Sequence, residues 1–260
     1  MPHQMPHRLR NKSILVIGAG TGIGAATVRR LASEGARVCV ADINLPAAEA
    51  VAAEITGAGG EAFAVHIDIA DEASVNAAVS AAATRLGGLD GAHVNAADLR
   101  VIFEDSDALD VDMAVFDRTL SVNLRGHMLC TRTVLPHLLE RDGGAIVYTS
   151  SGAADQGEAE RPSYAASKSG LNALMRHVAS RWGRSGVTAN CVAPGFVITA
   201  EMEAGGQVPP EFVKQTMAHT PSRRLGRSED IAGVVAMLLS EDGKWINGQV
   251  LHVNGGALMR

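Results

Sequence analysis

Ser13-Ile-Leu-Val-Ile17 runs directly into Gly18-Ala-Gly-Thr-Gly22-Ile-Gly24, and a helical pattern, Ile23–Ser33, follows. An apolar, β-branched run that stops at a glycine cluster and restarts as a helix predicts a strand–turn–helix unit. Glycines there let backbone amides approach a pyrophosphate, and the helix N-terminus adds oriented N–H groups and partial positive charge. Gly20, Gly22 and Ala25 also satisfy G-x-G-x-x-A, so spacing alone leaves open which glycines matter. The reading strengthens further along. A second strand-like run ends at Asp42, 24 residues after Gly18. A carboxylate at that distance suits the two ribose hydroxyls of an adenosine and repels a 2′-phosphate; the competing role is a loop acid that caps the next helix. Asp68, at the end of a third run, either meets the adenine amino group or is an acid in a surface turn.

The same alternation continues to the C-terminus. Strand-like runs are Ser13–Ile17, Arg37–Ala41, Ala62–Ile67, Leu89–Asn95, Ala145–Thr149, Thr188–Val192 and Gln249–Val253. Helix-like stretches are Ile23–Ser33, Pro46–Thr56, Glu72–Leu86, Asp112–Leu139, Ser163–Trp182 and Ser228–Leu239. Seven strands with helical crossovers predict an α/β doubly wound parallel sheet of the Rossmann type, with helices on both faces. No linker interrupts the pattern, so one domain is expected over 11–260, preceded by a frayed tail over 1–10. The segment 199–221 carries Gly205-Gly206 and Pro209-Pro210 around short apolar pieces and reads as an irregular insertion of the kind that forms a substrate lid.

Bulk properties exclude other classes. With 47% hydrophobic residues the chain can bury a large core, and 28 acidic against 23 scattered basic residues leave no nucleic-acid footprint. No apolar run is long enough for a membrane span, and the first residues lack the apolar stretch of a signal peptide. Cys39, Cys130 and Cys191 are far apart and odd in number, which suits reduced core thiols in a cytoplasmic protein. The histidines show no metal-ligand spacing. The acidic run Glu104, Asp105, Asp107, Asp110, Asp112 lacks the glycine and terminal glutamate of a calcium loop and reads as solvated. No metal site is expected.

The chemistry concentrates in Tyr164-Ala-Ala-Ser-Lys168. Residues four apart share a helix face, and an ammonium beside a phenol favours phenolate. Ser151 lies 13 residues before the tyrosine, just past a strand end that can present a hydroxyl to a substrate oxygen. It is not a hydrolase nucleophile, because G-x-S-x-G is missing.

Gly18-x-x-x-Gly22-x-Gly24, Asp42, Asp68, Asn95-Ala96, Asn123, Ser151, Tyr164-x-x-x-Lys168, Pro194-Gly195 with Thr199, and Asn247-Gly-Gln-Val-Leu-His-Val-Asn-Gly-Gly256 occur in order at fitting separations. Together they resemble the short-chain dehydrogenase/reductase family over roughly 11–258. The resemblance implies a nicotinamide cofactor and interconversion of a secondary alcohol and a ketone. It implies Tyr164 as general acid/base, Lys168 on the nicotinamide ribose, and Ser151 as donor to the developing oxyanion. Asn123 would hold a water that passes protons to Lys168. The cofactor would lie along Gly18, Gly20, Thr21, Gly22, Ile23 and Gly24, with Asp42 and Ile43 at the ribose, Asp68 and Ile69 at the adenine, and Asn95 and Ala96 where the backbone passes it. Pro194, Gly195, Val197 and Thr199 would meet the carboxamide, and Asp42 makes NAD the expected form. A homotetramer is implied, with 112–139 and 163–182 pairing across one interface.

Two positions depart from the family pattern. Ile17 stands where a Thr is common, which removes a hydroxyl that ties loops together. Val94-Asn95-Ala96-Ala97 replaces Asn-Asn-Ala-Gly and adds a methyl where the backbone passes the cofactor. The expected substrate is a moderately apolar hydroxy or keto compound, or a sugar, its pocket walled by 98–102, 152–157 and 199–221, with Met202, Phe212 and Met217 offering apolar surface. Alternatives are a dinucleotide-binding sensor without turnover and a 3-oxoacyl carrier-protein ketoreductase.

Overall fold

The computed structural model describes residues 7–206 and 208–259. In chain order the elements are β1 (Ser13–Ile17), α1 (Gly22–Ser33), β2 (Arg37–Asp42), α2 (Leu45–Gly57), β3 (Glu61–His66), α3 (Glu72–Leu86) and β4 (Gly91–Val94). There follow α4 (Met113–Leu120), α5 (His127–Leu139), β5 (Gly144–Thr149), α6 (Pro162–Trp182), β6 (Val187–Pro194), β7 (Val197–Ile198) and α7 (Ala200–Ala204). The chain closes with α8 (Pro210–Ala218), β8 (Gly226–Arg227), α9 (Ser228–Leu238) and β9 (Val250–Val253).

Seven strands form one sheet in the order β3-β2-β1-β4-β5-β6-β9, every neighbouring pair parallel. Order reverses between β1 and β4, so a crevice opens at their C-terminal ends, where open α/β sheets bind ligands. The valines and isoleucines of β1, β2, β5 and β6 are buried on both faces, as parallel strands between helix layers require. One face packs Leu15, Tyr148 and Cys191 against α3, α5 and α6; the other packs Val16, Val38 and Val192 against α1, α2 and α9. All three cysteines are free and buried, and burial pushes each thiol up to about 12, so they behave as apolar packing groups. No helix among the described residues is long and apolar enough to cross a membrane.

Three expectations change. The tail is not frayed from His7 onward: Leu9 is fully buried, its N–H bonds the Glu34 carbonyl at 3.2 Å, and Arg8 pairs with the Glu34 carboxylate. Residues 1–6 lie outside the described part. The long helix 112–139 is two α-helices joined by a π-helical turn, Ser121–Gly126, a local widening that often marks a functional site. The insertion 199–221 is not irregular. Thr199 caps α7 by accepting from the Met202 N–H, Pro210 starts α8, and β7 pairs with β8 beneath them.

Candidate functional site

The catalytic candidates and most cofactor candidates sit at the C-terminal edge of the sheet, because parallel strands all end there. Gly18 follows β1 with φ +80°, and a β-carbon on it would lie 2.6 Å from the Ala96 backbone. Gly24 sits in the first turn of α1, where a β-carbon would lie 1.9 Å from the Gly18 carbonyl oxygen. The turn closes tightly only with glycine at both positions. Gly20 donates its N–H to Asp42 Oδ2 at 2.8 Å, and Asp42 Oδ1 accepts from the Asn44 N–H at 2.9 Å. The Asp42 carboxylate therefore braces the glycine loop. Capping of α2 falls to Asn44, whose side chain accepts from Ala47 N. Ile43 beside it is exposed. Asp68 holds its own turn, accepting from Ala70 N at 2.9 Å, and Ile69 is buried under Gly126.

The missing hydroxyl at Ile17 is offset from the other side of the crevice. Asn95 Nδ2 donates to the Gly18 carbonyl at 2.8 Å, and Thr149 Oγ1 donates to Asn95 Oδ1 at 2.8 Å. With the Thr149 proton so used, His93 Nε2 donates to Thr149 Oγ1, also at 2.8 Å. His93 is fully buried, and burial pushes its pKa down to about 3, so it stays neutral. Sequence reasoning missed His93 and Thr149. Position 93 falls within a wholly buried strand and reads only as core.

Tyr164 and Lys168 share a face of α6, and Lys168 Nζ lies 5.7 Å from the Tyr164 ring centre. Lys168 is almost fully buried and donates to the Thr149 carbonyl at 2.8 Å. Burial lowers its pKa to about 8, which keeps it within reach of a proton exchange near neutrality. Ser151 follows β5 by two residues and starts a 3₁₀ turn, its hydroxyl oxygen accepting from the Ala153 N–H at 3.2 Å, and it works to lower the pKa of the Tyr164 phenol. The expectation that Lys168 depresses the phenol is not met by the protein's own groups. Burial raises the phenol above its ordinary value, and Ser151 and Arg161 pull only partly against it. The lysine charge is directed at the Thr149 carbonyl rather than at the hydroxyl.

Asn123 lies in the π-helical turn, fully buried, its Oδ1 accepting from the Asp98 N–H at 2.8 Å and its Nδ2 without a partner. Asp98 is itself gripped by Arg100 and Arg118, both at 2.8 Å, which hold its carboxyl well below the usual range. Pro194 and Gly195 end β6; a β-carbon on Gly195 would lie 2.9 Å from Asn254 Cα, so the chain passes only as glycine. Val197 opens β7. Thr199 brings its methyl 3.3 Å from the β-carbon position of Gly22, which Thr21 and Ile23 flank. The Gly22 N–H meets Glu201 Oε1 at 3.3 Å. The glycine cradle thus already receives an acidic oxygen, as a dinucleotide pyrophosphate requires, and the residues fit such a group. Phe212 of α8 packs edge-to-face on Phe196, ring centres 4.9 Å apart.

The acidic run is not a solvated loop throughout. Asp105 is buried against α6 and accepts from the Ser163 N–H, the Ser163 hydroxyl and the Tyr164 N–H.

Comparison with known proteins agrees with this architecture. The family model described as Enoyl-(Acyl carrier protein) reductase matches residues 18–257. A probable short-chain type dehydrogenase/reductase of Bradyrhizobium diazoefficiens is 40% identical, over 96% of this chain and 89% of its own. Levodione reductase of Leifsonia aquatica is 34% identical, over 96% and 95%. A solved structure of 7α-hydroxysteroid dehydrogenase, complexed with NADH and 7-oxo glycochenodeoxycholic acid, superposes with a TM-score of 0.88 at 33% identity, covering 98% of each chain. The chain belongs to the short-chain dehydrogenase/reductase family of oxidoreductases.

Proposed function

We propose that this protein is an NAD(H)-dependent oxidoreductase that interconverts a secondary alcohol and a ketone, with Tyr164 as general acid/base. The observation that carries the reading is the convergence of Ser151, Tyr164 and Lys168 on one wall of a crevice whose opposite wall is the glycine cradle. A bound nicotinamide supplies the hydride acceptor or donor. Tyr164 takes the alcohol proton in oxidation and returns it to the ketone oxygen in reduction. Ser151 donates a hydrogen bond to that oxygen as charge develops. Lys168, anchored on Thr149, holds the ribose and relays the proton, and the free Nδ2 of Asn123 orients a water behind it. Gly18, Gly20, Gly22 and Gly24 hold the pyrophosphate, Asp42 with Ile43 the adenosine ribose, Asp68 with Ile69 the adenine, and Asn95, Ala96, Pro194, Gly195, Val197 and Thr199 the nicotinamide half. The helices α7 and α8 are the lid. The Phe196–Phe212 pair favours an apolar, ring-bearing substrate, in keeping with the names of two relatives.

The test is NADH fluorescence together with a panel of cyclic alcohols and ketones. Turnover with clean binding supports the reading. Binding without turnover across the panel favours a sensor.

NAD is the expected cofactor. Asp42 aims its carboxylate at the loop where a 2′-phosphate would sit, and neither Ile43 nor Thr21 offers a neutralising charge. The expected kcat/KM for NAD exceeds that for NADP by at least ~10-fold, about 1.4 kcal/mol of transition-state binding. Asp42→Ala narrows the ratio. Equal efficiency with both cofactors in the parent protein refutes the placement of Asp42 at the ribose.

A homotetramer is the expected assembly. Met113 and Met128 on α4 and α5, and Phe103 and Leu109 before them, are exposed apolar side chains. Light scattering should give four times 27.0 kDa at micromolar concentration. The monomer mass refutes it.

A further inference from the structure

Helix α6 begins in an unusual way. Its N-cap position is Arg161, in the left-handed region at φ +64°, and no side chain there caps the helix. Pro162, next in line, has no N–H. The first two donors of the helix are therefore Ser163 N and Tyr164 N, the pair an N-cap side chain ordinarily serves. Both are served by Asp105, 58 and 59 residues earlier in the chain. Its Oδ2 accepts from Tyr164 N at 2.9 Å, and its Oδ1 accepts from Ser163 N at 3.3 Å and from the Ser163 hydroxyl at 2.7 Å. Backbone bonds reinforce the junction: Arg161 N–H reaches the carbonyls of Asp105 and Ser106 at 3.0 and 2.9 Å. Asp105 is buried, so these charge-assisted bonds are shielded from water.

The other end of the same loop is fastened to Asn123. The Asp98 N–H donates to the Asn123 side chain, and Arg100 and Arg118 clamp the Asp98 carboxylate. Residues 98–105, of which 98–102 are expected to wall the substrate pocket, thus bridge two catalytic candidates: Asn123 through its side chain and Tyr164 through its backbone.

We propose that Asp105 is a positioning residue for catalysis: a capping carboxylate from outside the helix that sets where the Tyr164 hydroxyl stands and couples the substrate-wall loop to it. The proposal rests on the assignment of Tyr164 as acid/base. Its action is geometric. The side chain of Tyr164 leaves the backbone one bond from the N–H that Asp105 holds, so a shift of the first helical turn moves the phenol away from the carbinol oxygen. Apart from Lys168, which is anchored one turn further along α6 on the Thr149 carbonyl, the proposed cofactor contacts lie outside α6 and are left in place.

The test compares three variants of the full chain with the parent. Asp105→Asn keeps the shape and both Ser163 bonds through its remaining oxygen, but turns an NH₂ toward Tyr164 N. It is expected to lower kcat about tenfold, the scale of a small misplacement of a reacting group, with the NADH dissociation constant by fluorescence within about twofold of the parent. Ser163→Ala removes one bond and leaves Tyr164 N held, and is expected to keep kcat within about threefold. A kcat for Asp105→Asn within twofold of the parent, with only a lower melting temperature, overturns the proposal, as does equal loss of kcat and NADH binding. Tyr164→Phe is the control. If it retains turnover the acid/base reading has failed; if it is inactive while Asp105→Asn is fully active, only the positioning role has failed. A measurement on the parent needs no variant to fold. The Ser163 and Tyr164 amides, which no intrahelical carbonyl can accept, should exchange as slowly as those in the middle of α6. Exchange at the rate of uncapped first-turn amides overturns the proposal.

Discussion

Replacing Tyr164 by Phe is expected to cut turnover by at least ~10²-fold, the scale of losing general acid–base catalysis, while leaving the fold and NADH binding nearly unchanged. The substitution removes one hydroxyl from a ring whose position is set by α6, and the glycine cradle lies on the opposite wall of the crevice. The effect should appear in kcat rather than in the dissociation constant of the cofactor, because the lost interaction is made with the reacting oxygen. Steady-state kinetics with any substrate from the panel, set beside NADH titration, decides it. Retained turnover in the purified variant takes Tyr164 out of the mechanism.

The second large effect is on the fold. Gly24→Ala places a methyl where the Gly18 carbonyl oxygen stands, 1.9 Å from the new carbon, and 2.8 Å from Ala19 Cα. Both neighbours are backbone, so neither can swing away as a flexible side chain would. Either α1 moves off β1 or the turn reopens, at about 3 kcal/mol or more. For a chain of this length that corresponds to a melting temperature lower by roughly 6–12 °C. NADH binding should weaken as well, since the N–H groups of α1 no longer converge. Gly57→Ala at the end of α2, where a methyl meets nothing within 4 Å, is the control and should stay within about 0.5 kcal/mol of the parent. Equal melting temperatures for the two variants refute the close-packing argument.

These two expectations differ in how much of them the sequence shows. The strand–glycine–helix opening, the seven apolar runs and the four-residue spacing of Tyr164 and Lys168 are local patterns. A turn that needs positive φ can only take glycine comfortably, a parallel strand covered on both faces must be continuously apolar, and residues four apart must share a helix face. For that reason β1 and α3 lie where the pattern places them, whereas the strand order β3-β2-β1-β4-β5-β6-β9 came only with the structure.

The sequence by itself therefore determined the parallel sheet of seven strands, the tight glycine turn after β1 and the shared helix face of Tyr164 and Lys168. What only the tertiary structure decided is how those residues are held. Asp105 sits in an acidic run that looks solvated, and becomes a buried cap because α6 arrives with Arg161 and Pro162 at its start. His93 looks like core, and becomes a donor because Thr149 lies on the neighbouring strand. Asn123 looks mid-helical, and gains its setting from a π-helical turn against residue 98. Each of these depends on a partner 25 to 59 residues away. The identity of such a partner follows from packing, and packing leaves no period in the local sequence.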